Sequence, residues 1–508
     1  MGKGESFISV IEMFIIQIIH PLDFLFLIDL LFLFIFSKSN QVFNQVYFDK
    51  KKVKIIILAL MILTTHIFLT NYVLGGYSPE RLYTLDSSAF VDVYGIEGLY
   101  FYEFIQEIYS RESKYEKVSL PESYLDQKLN KDENLDKYNL VVLQVESLDK
   151  NIIDQEYDGE EITPFLNKFK NKSFYFKNFF SQHVNGSHNA DFSFLTSFYP
   201  VSKNYIYNET DMSQFEAFPE ILKDNNYKTM SFVNNKTFFH RDKAIPYLGF
   251  DEFYGTKDYE IKNDIKLNKK GLGINDFDFF RNSLNYIEKT EEPFFSFIIT
   301  STSHGPFKYY PRSYSERFSD ISNTLVRDYF RSMSFVDESI EMFYNSLKEK
   351  NLLENTILVV YGDHTAEINE DIYSSKVNFK MNEDIKPPEA IPLFIYHPEM
   401  ESKVIDNPGS TVDIAPTVMD LMGFENQPEE FLGTSLLKQN KQKRPILFLN
   451  EQPLVLFENQ LFKQELDNFN KVGYYKDKQK DIELSEKENK NVIDLIHYIN
   501  YIFQSRSM

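Results

Sequence analysis

Short apolar runs alternate with longer amphipathic stretches along the chain from Tyr138 onward. Short apolar runs bounded by polar or turn-forming residues are typical of buried strands. They predict strands at Asn139–Val145, Phe174–Phe180, Thr229–Val233, Phe294–Thr300, Thr356–Val360 and Ile391–Tyr396. Apolar residues spaced three and four apart predict helices at Asp276–Glu288, Ser322–Lys350 and Thr411–Met422. This alternation predicts an α/β fold, in which a mostly parallel central sheet is flanked by helices on both faces.

Apolar segments near the start of the chain predict membrane helices. Ile55–Leu74 has no charged residue and is about 20 residues long, which is enough to cross a bilayer as a helix. Leu22–Phe36 is predicted to span as well, with Asp29 facing protein because a carboxylate is costly in lipid. Phe7–Ile19 is predicted to be a partial or interfacial segment, because Pro21 interrupts the apolar stretch that extends from Phe7 to Phe36.

The loop between these spans is rich in lysine: Lys38, Lys50, Lys51, Lys52 and Lys54. Short lysine-rich loops stay in the cytoplasm, so a multi-pass protein of the cell membrane is predicted, with everything after Gly75 outside the cytoplasm. The chain then divides into a transmembrane segment (1–76), a connecting helix and linker (77–137), and an extracytoplasmic domain with a C-terminal extension (138–508). A cleaved signal peptide is the alternative, but the second apolar block lacks a small-residue cleavage pattern.

Composition narrows the classes of function. The chain has 508 residues and a formal net charge of −21, which argues against a nucleic-acid partner. A phosphate-bearing substrate is still compatible with that charge, since a bound cation and one arginine can dominate the local field. The chain has no cysteine, which excludes disulfides, thiolate metal ligands and a thiol nucleophile.

Acidic and imidazole side chains follow two of the predicted strands. Glu146 comes directly after Asn139–Val145, and Asp363 and His364 follow Thr356–Val360. Open α/β folds bind their ligands outside the carboxyl ends of parallel strands. Carboxylate oxygens beside an imidazole nitrogen suit a divalent metal. The alternative is purely structural, with a solvated carboxylate at one strand end and a polar turn at the other.

A serine and a second histidine extend this group. Ser187 follows Gly186 at the start of an apparent helix, where aligned backbone N–H groups favour a developing oxyanion or a phosphate. His304 follows the predicted strand Phe294–Thr300, where it can donate a proton to a leaving group. An ordinary N-cap serine and a histidine bonded to a backbone carbonyl are the structural alternatives.

Together these residues match the needs of phosphoryl transfer. That reaction requires an activated oxygen nucleophile, neutralised phosphate charge and a protonated leaving group. A cation held by Glu146, Asp363 and His364 and touching the Ser187 hydroxyl would lower the pKa of that hydroxyl and fix its position.

Several short motifs also occur in the order found in a known family. They are Leu143-Gln-Val-Glu-Ser147, Thr163-Pro-Phe-Leu166, Gly186-Ser-His-Asn-Ala-Asp-Phe192, Asn235-Lys-Thr-Phe-Phe-His-Arg-Asp242, Ser303-His-Gly-Pro-Phe307, Tyr361-Gly-Asp-His364 and Ser410-Thr-Val-Asp-Ile-Ala-Pro-Thr417. Through these motifs the chain resembles the lipoteichoic acid synthases and related phosphoglycerol transferases of the sulfatase/alkaline-phosphatase superfamily.

The resemblance implies a sulfatase-like, alkaline-phosphatase-like domain and a set of site residues. The metal ligands it implies are Glu146, Ser187, Asp363 and His364, with Ser187 also the catalytic nucleophile. The substrate-binding residues it implies are Arg241, His304 and Phe239. It further implies Mn²⁺ as the cation, with Mg²⁺ and Zn²⁺ as alternatives, and transfer of glycerol phosphate from phosphatidylglycerol to a hydroxyl acceptor on a glycolipid or polymer.

The chain departs from the family pattern at three positions. Ser187 stands where threonine is common, which keeps the hydroxyl. Phe239 replaces a tryptophan and so loses an N–H donor, and Asn234 replaces an aspartate and so loses a charge. These changes leave the head group and the acceptor open.

Other functions on the same fold are alternatives. A sulfatase needs a proline and an arginine after its modified residue, and the residues after Ser187 lack both. A zinc-dependent phosphoethanolamine transferase, a periplasmic-glycan phosphoglycerol transferase and another hydrolase of the superfamily are closer candidates. A catalytically inactive binding module is disfavoured, because all four implied metal positions are present.

Overall fold

The computed structural model describes residues 98–100, 102, 118–121, 124, 138–201, 205–234, 240–255, 258–259, 273–368, 373, 379–381, 386–438, 444–450, 453–465, 468–475 and 482–507. The chain divides into two compact units, Met1–Glu116 and Lys117–Met508, and the architecture given below is that of the second.

Strands and helices alternate through this unit. The strands are β1 (Asn139–Val145), β2 (Glu156–Tyr157), β3 (Glu160–Glu161), β4 (Phe174–Phe180), β5 (Lys228–Val233), β6 (Glu252–Tyr254), β7 (Phe294–Ile299), β8 (Thr356–Gly362), β9 (Phe379–Met381), β10 (Ala390–Tyr396), β11 (Lys403–Ile405), β12 (Gly409–Ser410), β13 (Ile446–Phe448), β14 (Leu454–Phe457), β15 (Gln460–Glu465) and β16 (Asn468–Tyr475). The α-helices are α1 (Pro164–Phe169), α2 (His188–Thr196), α3 (Ile206–Glu209), α4 (Phe218–Asp224), α5 (Arg241–Ala244), α6 (Asp276–Ile287), α7 (Thr324–Glu349), α8 (Ile414–Leu421) and α9 (Glu486–Ser505). Short 3₁₀ helices lie at Lys150–Ile152, Lys170–Lys172, Met212–Gln214, Ile245–Leu248, Arg312–Tyr314, Leu353–Asn355 and Thr411–Asp413.

The central sheet is built around β1, which is buried along its whole length. The strand order is β11-β4-β10-β8-β1-β7-β5-β6, and β12 also pairs with β4. Strand β1 runs parallel to both β7 and β8. A strand covered on both faces favours apolar residues at consecutive positions, which explains the apolar run Leu140–Leu143 of β1.

The central sheet is mostly parallel, as predicted, but one antiparallel strand makes it mixed. Strand β10 runs antiparallel to both of its neighbours, β4 and β8. The apolar run that predicted this strand fits either direction, because a buried strand shows the same pattern from both ends. A register shift between Ile391 and Leu393 accommodates Pro392, as expected for a proline in a central strand.

Helices cover both faces of the sheet, as predicted. Leu140 and Val142 belong to one hydrophobic core, which also contains residues of α2, α4, α8 and α9. Val141 and Leu143 belong to the other core, with residues of α1, α6 and α7. Successive side chains of a strand point to opposite faces, so β1 contributes to both cores.

The C-terminal part contains a second sheet that the sequence pattern did not predict. It is antiparallel, with strand order β13-β14-β15-β16-β9. Phe180 at the end of β4 packs in its core with Phe379, Phe448 and Tyr475.

Among the described residues, no helix has both the length and the apolar character needed to cross a bilayer. The predicted spans Leu22–Phe36 and Ile55–Leu74, and the partial segment Phe7–Ile19, lie outside the described residues.

Candidate active site

The carboxyl ends of β1 and β8 bring two acidic residues together. Val145 pairs with Gly362, so Glu146 and Asp363 follow neighbouring positions of parallel strands. The backbone N–H of Ser147 donates to Asp363 Oδ1 at 2.8 Å, and that of Glu146 donates to Thr300 Oγ1, beyond β7, at 3.1 Å. Hydrogen bonds therefore connect the ends of β1, β7 and β8, where the sequence pattern predicted a site.

Glu146, Asp363 and His364 form a compact cluster. His364 Nε2 lies 3.1 Å from Glu146 Oε1 and 3.7 Å from Asp363 Oδ2. One ligand atom from each of the three residues lies within 4.8 Å of the others, and both carboxylates are buried. His364 Nδ1 lies 2.8 Å from the carbonyl oxygen of Thr365, which can only accept. Nδ1 is therefore the N–H donor, and Nε2 faces the carboxylates.

The ionisable side chains of this cluster shift the pKa values of one another. Burial by itself raises the pKa of Glu146, but the hydrogen bond and charge of His364 outweigh it and lower that pKa to about 2. Burial and the neighbouring Glu146 carboxylate raise the pKa of Asp363 well above its ordinary value. Burial lowers the pKa of His364, but the negative charges of Asp363 and Glu146 outweigh it and raise that pKa. A positive charge beside the two buried carboxylates therefore stabilises their ionised forms.

A divalent cation would supply this positive charge. Asp363 Oδ2 is buried and has no hydrogen-bond partner in the described part of the chain, which is unusual for a carboxylate oxygen. Two carboxylates and one imidazole are hard-oxygen and nitrogen donors of the kind that bind Mn²⁺, Mg²⁺ or Zn²⁺.

Ser187 lies at the start of α2 and faces the same cavity. Gly186 before it has a φ of +153°, a conformation that side-chain-bearing residues rarely adopt. Ser187 occupies the N-cap position, yet its side chain makes no capping hydrogen bond. The ordinary N-cap interpretation therefore does not account for this hydroxyl.

Arg241 lies beside Ser187 in an ion pair with Asp191. Its Nε donates to Asp191 Oδ2 at 2.6 Å and its Nη2 donates to Asp191 Oδ1 at 2.7 Å. Nη2 also lies 3.4 Å from Ser187 Oγ. Gln144 Nε2 donates to Asp191 Oδ1 at 2.8 Å, and Tyr361 OH donates to Gln144 Oε1 at 2.5 Å. This network fixes the guanidinium next to the serine hydroxyl.

A cavity of about 280 Å³ joins these groups. Its lining includes Glu146, Ser187, Arg241, His304 and His364. Five of the predicted site residues therefore line one space, and Asp363 lies buried behind it. Their roles in binding and catalysis stay predictions.

His304 stands at the rim of this cavity, after β7. Its Nδ1 lies 2.8 Å from the carbonyl oxygen of Gly305, so this nitrogen carries the proton and donates. The backbone-bonded histidine expected as the structural alternative is thus present at Nδ1. Nε2 is the ring atom that can exchange a proton with a ligand.

Phe239 and Asn234 are two further positions that the resemblance singled out. Phe239 lies outside the described residues, so its predicted part in substrate binding stays a prediction. Asn234 is fully buried, donating to Ile274 O at 2.6 Å and Asp276 Oδ1 at 3.1 Å and accepting from Ile274 N at 2.9 Å. Its amide thus joins β5 to the start of α6.

Sequence reasoning did not assign a role to His183 and Glu389. The His183 ring stacks on His364 with centroids 4.5 Å apart, and its Nδ1 lies 3.0 Å from Glu389 Oε1. Glu389 also accepts from the backbone N–H of Thr365 at 2.9 Å and pairs with Lys386 at 2.7 Å. These contacts hold the loop that carries His364.

Sequence reasoning also missed the hydrogen-bonded network of Asp191, Gln144 and Tyr361. One signal was available: Gln144 is a polar residue inside the apolar run of β1, and buried polar side chains normally have a partner. Asp191 lies four residues after Ser187, a spacing that puts both on one face of a helix. Nothing in the sequence pairs either residue with Arg241.

Comparisons with known proteins agree with this architecture. The sequence profile of the sulfatase family matches residues 138–424. Lipoteichoic acid synthase 2 of Bacillus subtilis is 29% identical over 451 residues, which cover 85% of this chain and 68% of the relative.

Two solved structures share the fold. The lipoteichoic acid synthase LtaP from Listeria monocytogenes superposes with a TM-score of 0.64 at 24% identity, over 74% of this chain and 96% of that one. A protein of the alkaline phosphatase superfamily from Vibrio parahaemolyticus superposes with a TM-score of 0.61 at 20% identity, over 82% of this chain and 98% of that one.

Proposed function

This chain belongs to the sulfatase family, as a lipoteichoic-acid-synthase-like enzyme, and we propose that it transfers glycerol phosphate from phosphatidylglycerol to a hydroxyl acceptor through a covalent intermediate on Ser187. The acceptor is the free hydroxyl of a glycolipid or of a growing lipoteichoic-acid-type polymer. The enzyme is anchored in the cell membrane, with the site on the extracytoplasmic side where that lipid and acceptor meet.

One observation carries this proposal. Ser187 Oγ is not engaged in capping its helix, lies 3.4 Å from the Arg241 guanidinium and shares a cavity with the Glu146 and His364 side chains. A nucleophile needs an unengaged oxygen, a cation for the phosphate and a group that activates it. The position of Ser187 among these side chains supports its assignment as the nucleophile.

In the first step Ser187 Oγ attacks the phosphorus of phosphatidylglycerol. The bond from phosphorus to Ser187 Oγ forms as the bond from phosphorus to the diacylglycerol oxygen breaks. The serine proton passes to solvent, and His304 Nε2 protonates the departing diacylglycerol oxygen. Arg241 Nη2, next to Ser187 Oγ, donates to an oxygen of the transferred phosphoryl group.

In the second step the acceptor hydroxyl attacks the same phosphorus. The bond from phosphorus to Ser187 Oγ breaks, and the serine oxygen regains a proton from solvent. His304 Nε2 takes the proton from the acceptor hydroxyl and so returns to its starting state. Attack from the side opposite Ser187 requires the acceptor to enter through the open rim of the cavity.

Glu146, Asp363 and His364 would hold a divalent cation, with the Ser187 hydroxyl beside it. When bound, such an ion lowers the pKa of the serine hydroxyl and offsets the charge of the phosphate. Asp363 Oδ1 meanwhile accepts the backbone N–H groups of Ser147 and His364, each at 2.8 Å, and keeps the two strand ends in register.

The proposal is tested with the purified full chain, Mn²⁺ and labelled phospholipid. Phosphatidylglycerol and phosphatidylethanolamine are supplied separately, and the released lipid and the mass of the intact protein are measured. We expect diacylglycerol from phosphatidylglycerol and a glycerol phosphate adduct on Ser187. Consumption of phosphatidylethanolamine instead would identify a phosphoethanolamine transferase.

Ser187→Ala should abolish both diacylglycerol release and the adduct. Ser193→Ala is the matched control, because Ser193 lies on the same helix and is buried away from the cavity lining. Turnover by Ser187→Ala at the rate of the control would contradict the covalent mechanism.

A further inference from the structure

The contact between Asp191 and Arg241 affects more than the position of the guanidinium. Both side chains are buried, with Asp191 fully inaccessible and Arg241 2% exposed. The Nε and Nη2 groups of one guanidinium edge both donate to the Asp191 carboxylate. That edge cannot form a second bidentate bond with a phosphate, and the positive charge of Arg241 is already offset.

The surroundings of the cavity are otherwise acidic. Among the described residues that line or back it, the carboxylates are Glu146, Asp191, Asp363, Glu367 and Glu389. The permanently cationic side chains are Arg241 and Lys386, and Lys386 is paired with Glu367 and Glu389. The imidazoles of His183, His304 and His364 also line the cavity. Apart from a bound cation and these imidazoles, a ligand here meets little uncompensated positive charge.

We infer that Asp191 sets the charge preference of the site, so that it accepts a singly charged phosphodiester and disfavours a doubly charged phosphomonoester. Each extra negative charge on a ligand meets the repulsion of buried carboxylates, which a low local dielectric strengthens. Asp191 acts through Arg241 and is a positioning residue.

This inference rests on the proposed function and deepens it. Phosphatidylglycerol and a glycerol phosphate group esterified to Ser187 are both phosphodiesters with one negative charge. Free glycerol phosphate is a monoester that carries two charges above its second pKa of about 6. The preference therefore suits both steps of transfer and disfavours the product of a wasteful hydrolysis.

The test measures binding of two soluble anions to the full chain in detergent with Mn²⁺ at about pH 8. The probes are glycerophosphoglycerol, a phosphodiester, and sn-glycerol 3-phosphate, a monoester, and titration calorimetry gives each dissociation constant. We expect wild type to bind the diester more tightly. Asp191→Asn should move the ratio of the two constants toward the monoester by about tenfold, equivalent to about 1.4 kcal/mol.

Two control variants separate charge from packing. Tyr361→Phe removes the hydroxyl that donates to Gln144 but leaves every charge in place, so the ratio should stay at the wild-type value. Asp337→Asn removes a buried carboxylate that does not line the cavity and should also leave the ratio unchanged. A merely structural role for Asp191 would lower both affinities together.

An unchanged ratio in Asp191→Asn overturns the inference, as does wild type that prefers the monoester or binds neither anion. If Asp191→Asn does not fold, a wild type that binds both anions equally or prefers the monoester still overturns the inference. The proposed function fails separately: the lipid assay can show no diacylglycerol from phosphatidylglycerol while the diester preference holds. Conversely, active transfer with an unchanged ratio removes only the role of Asp191.

Discussion

His364 and Asp363 show how single side chains are prepared for a cation. The carbonyl of Thr365 fixes the proton of His364 on Nδ1, which leaves Nε2 facing the carboxylates. Asp363 Oδ1 accepts two backbone N–H groups, while Oδ2 has no hydrogen-bond partner in the described part of the chain. Each residue thus has one atom engaged in holding its position and one atom available to a metal, as is usual where neighbouring groups orient metal ligands.

Replacing Asp363 by Asn should therefore remove the metal without unfolding the protein. We expect the affinity for Mn²⁺ to fall by at least about tenfold, measured as ions per chain by mass spectrometry after gel filtration. Chelation should lower the melting temperature of wild type and leave that of Asp363→Asn unchanged. Asp413→Asn, which alters another buried carboxylate, should keep the wild-type metal content. Equal metal in Asp363→Asn and wild type would contradict the assignment.

At the scale of elements, one carboxylate joins two helices of the same core. Asp337 on α7 accepts the backbone N–H groups of Phe165 and Leu166 in the first turn of α1, at 2.8 and 2.9 Å. These groups have no partner within their own helix, so α7 completes the start of α1. Burial raises the pKa of Asp337 to about 7, although the two hydrogen bonds act in the opposite direction.

This raised pKa predicts a pH-dependent stability. The unfolded value is about 3.9, so the folded state binds more protons between about pH 4 and pH 7. The contribution of Asp337 to the free energy of unfolding is therefore full below about pH 4 and is lost as the pH rises to about 7. The melting-temperature difference between wild type and Asp337→Asn should shift against wild type over this range. A difference that is independent of pH would contradict the prediction.

At the scale of the whole second unit, remote parts of the chain hold the nucleophile helix. Phe503 of α9 packs against Phe192 of α2, with ring centroids 5.8 Å apart, and against Phe198 at 5.9 Å. Gln182, in the loop before Ser187, donates to Ser410 Oγ at 3.1 Å and to the carbonyl of Leu447, in β13, at 2.8 Å. The second sheet and the C-terminal helix thereby fix the loop and helix that carry the serine.

The predicted membrane topology can be tested because the chain has no cysteine. Met400 is 47% exposed, so Met400→Cys should react with a membrane-impermeant maleimide on intact cells. Lys51→Cys, in the lysine-rich loop between the predicted spans, is the matched control and should react only after lysis. Labelling in the opposite pattern would place this unit in the cytoplasm.

Much of the fold followed from local pattern. Strands β1 and β4 begin and end at the predicted residues, and β5, β7, β8 and β10 differ by one or two. Helix α7 was predicted within two residues at its start and one at its end. Such segments are readable because burial on both faces, or on one helical stripe, imposes a regular spacing of apolar residues.

Three features were not readable from the sequence. The direction of β10 is one, because an apolar run has the same pattern in a parallel and in an antiparallel strand. The short strands of the second sheet are another, because two-sided burial there comes from contacts distant in sequence. The bond between Asp191 and Arg241 is the third, since the two residues are separated by 50 positions and meet only through the packing of α2 and α5.

The sequence by itself determined which chemical groups follow which strands, and therefore that carboxylates, imidazoles and a serine gather at one edge of the sheet. Only the tertiary structure decided which of their atoms are engaged and which remain available. Among the described residues it left Asp363 Oδ2 without a hydrogen-bond partner and placed the Arg241 charge against Asp191. The physical reason is that apolar spacing is set by local geometry, whereas hydrogen bonding and charge balance at a buried site depend on groups that only folding brings together.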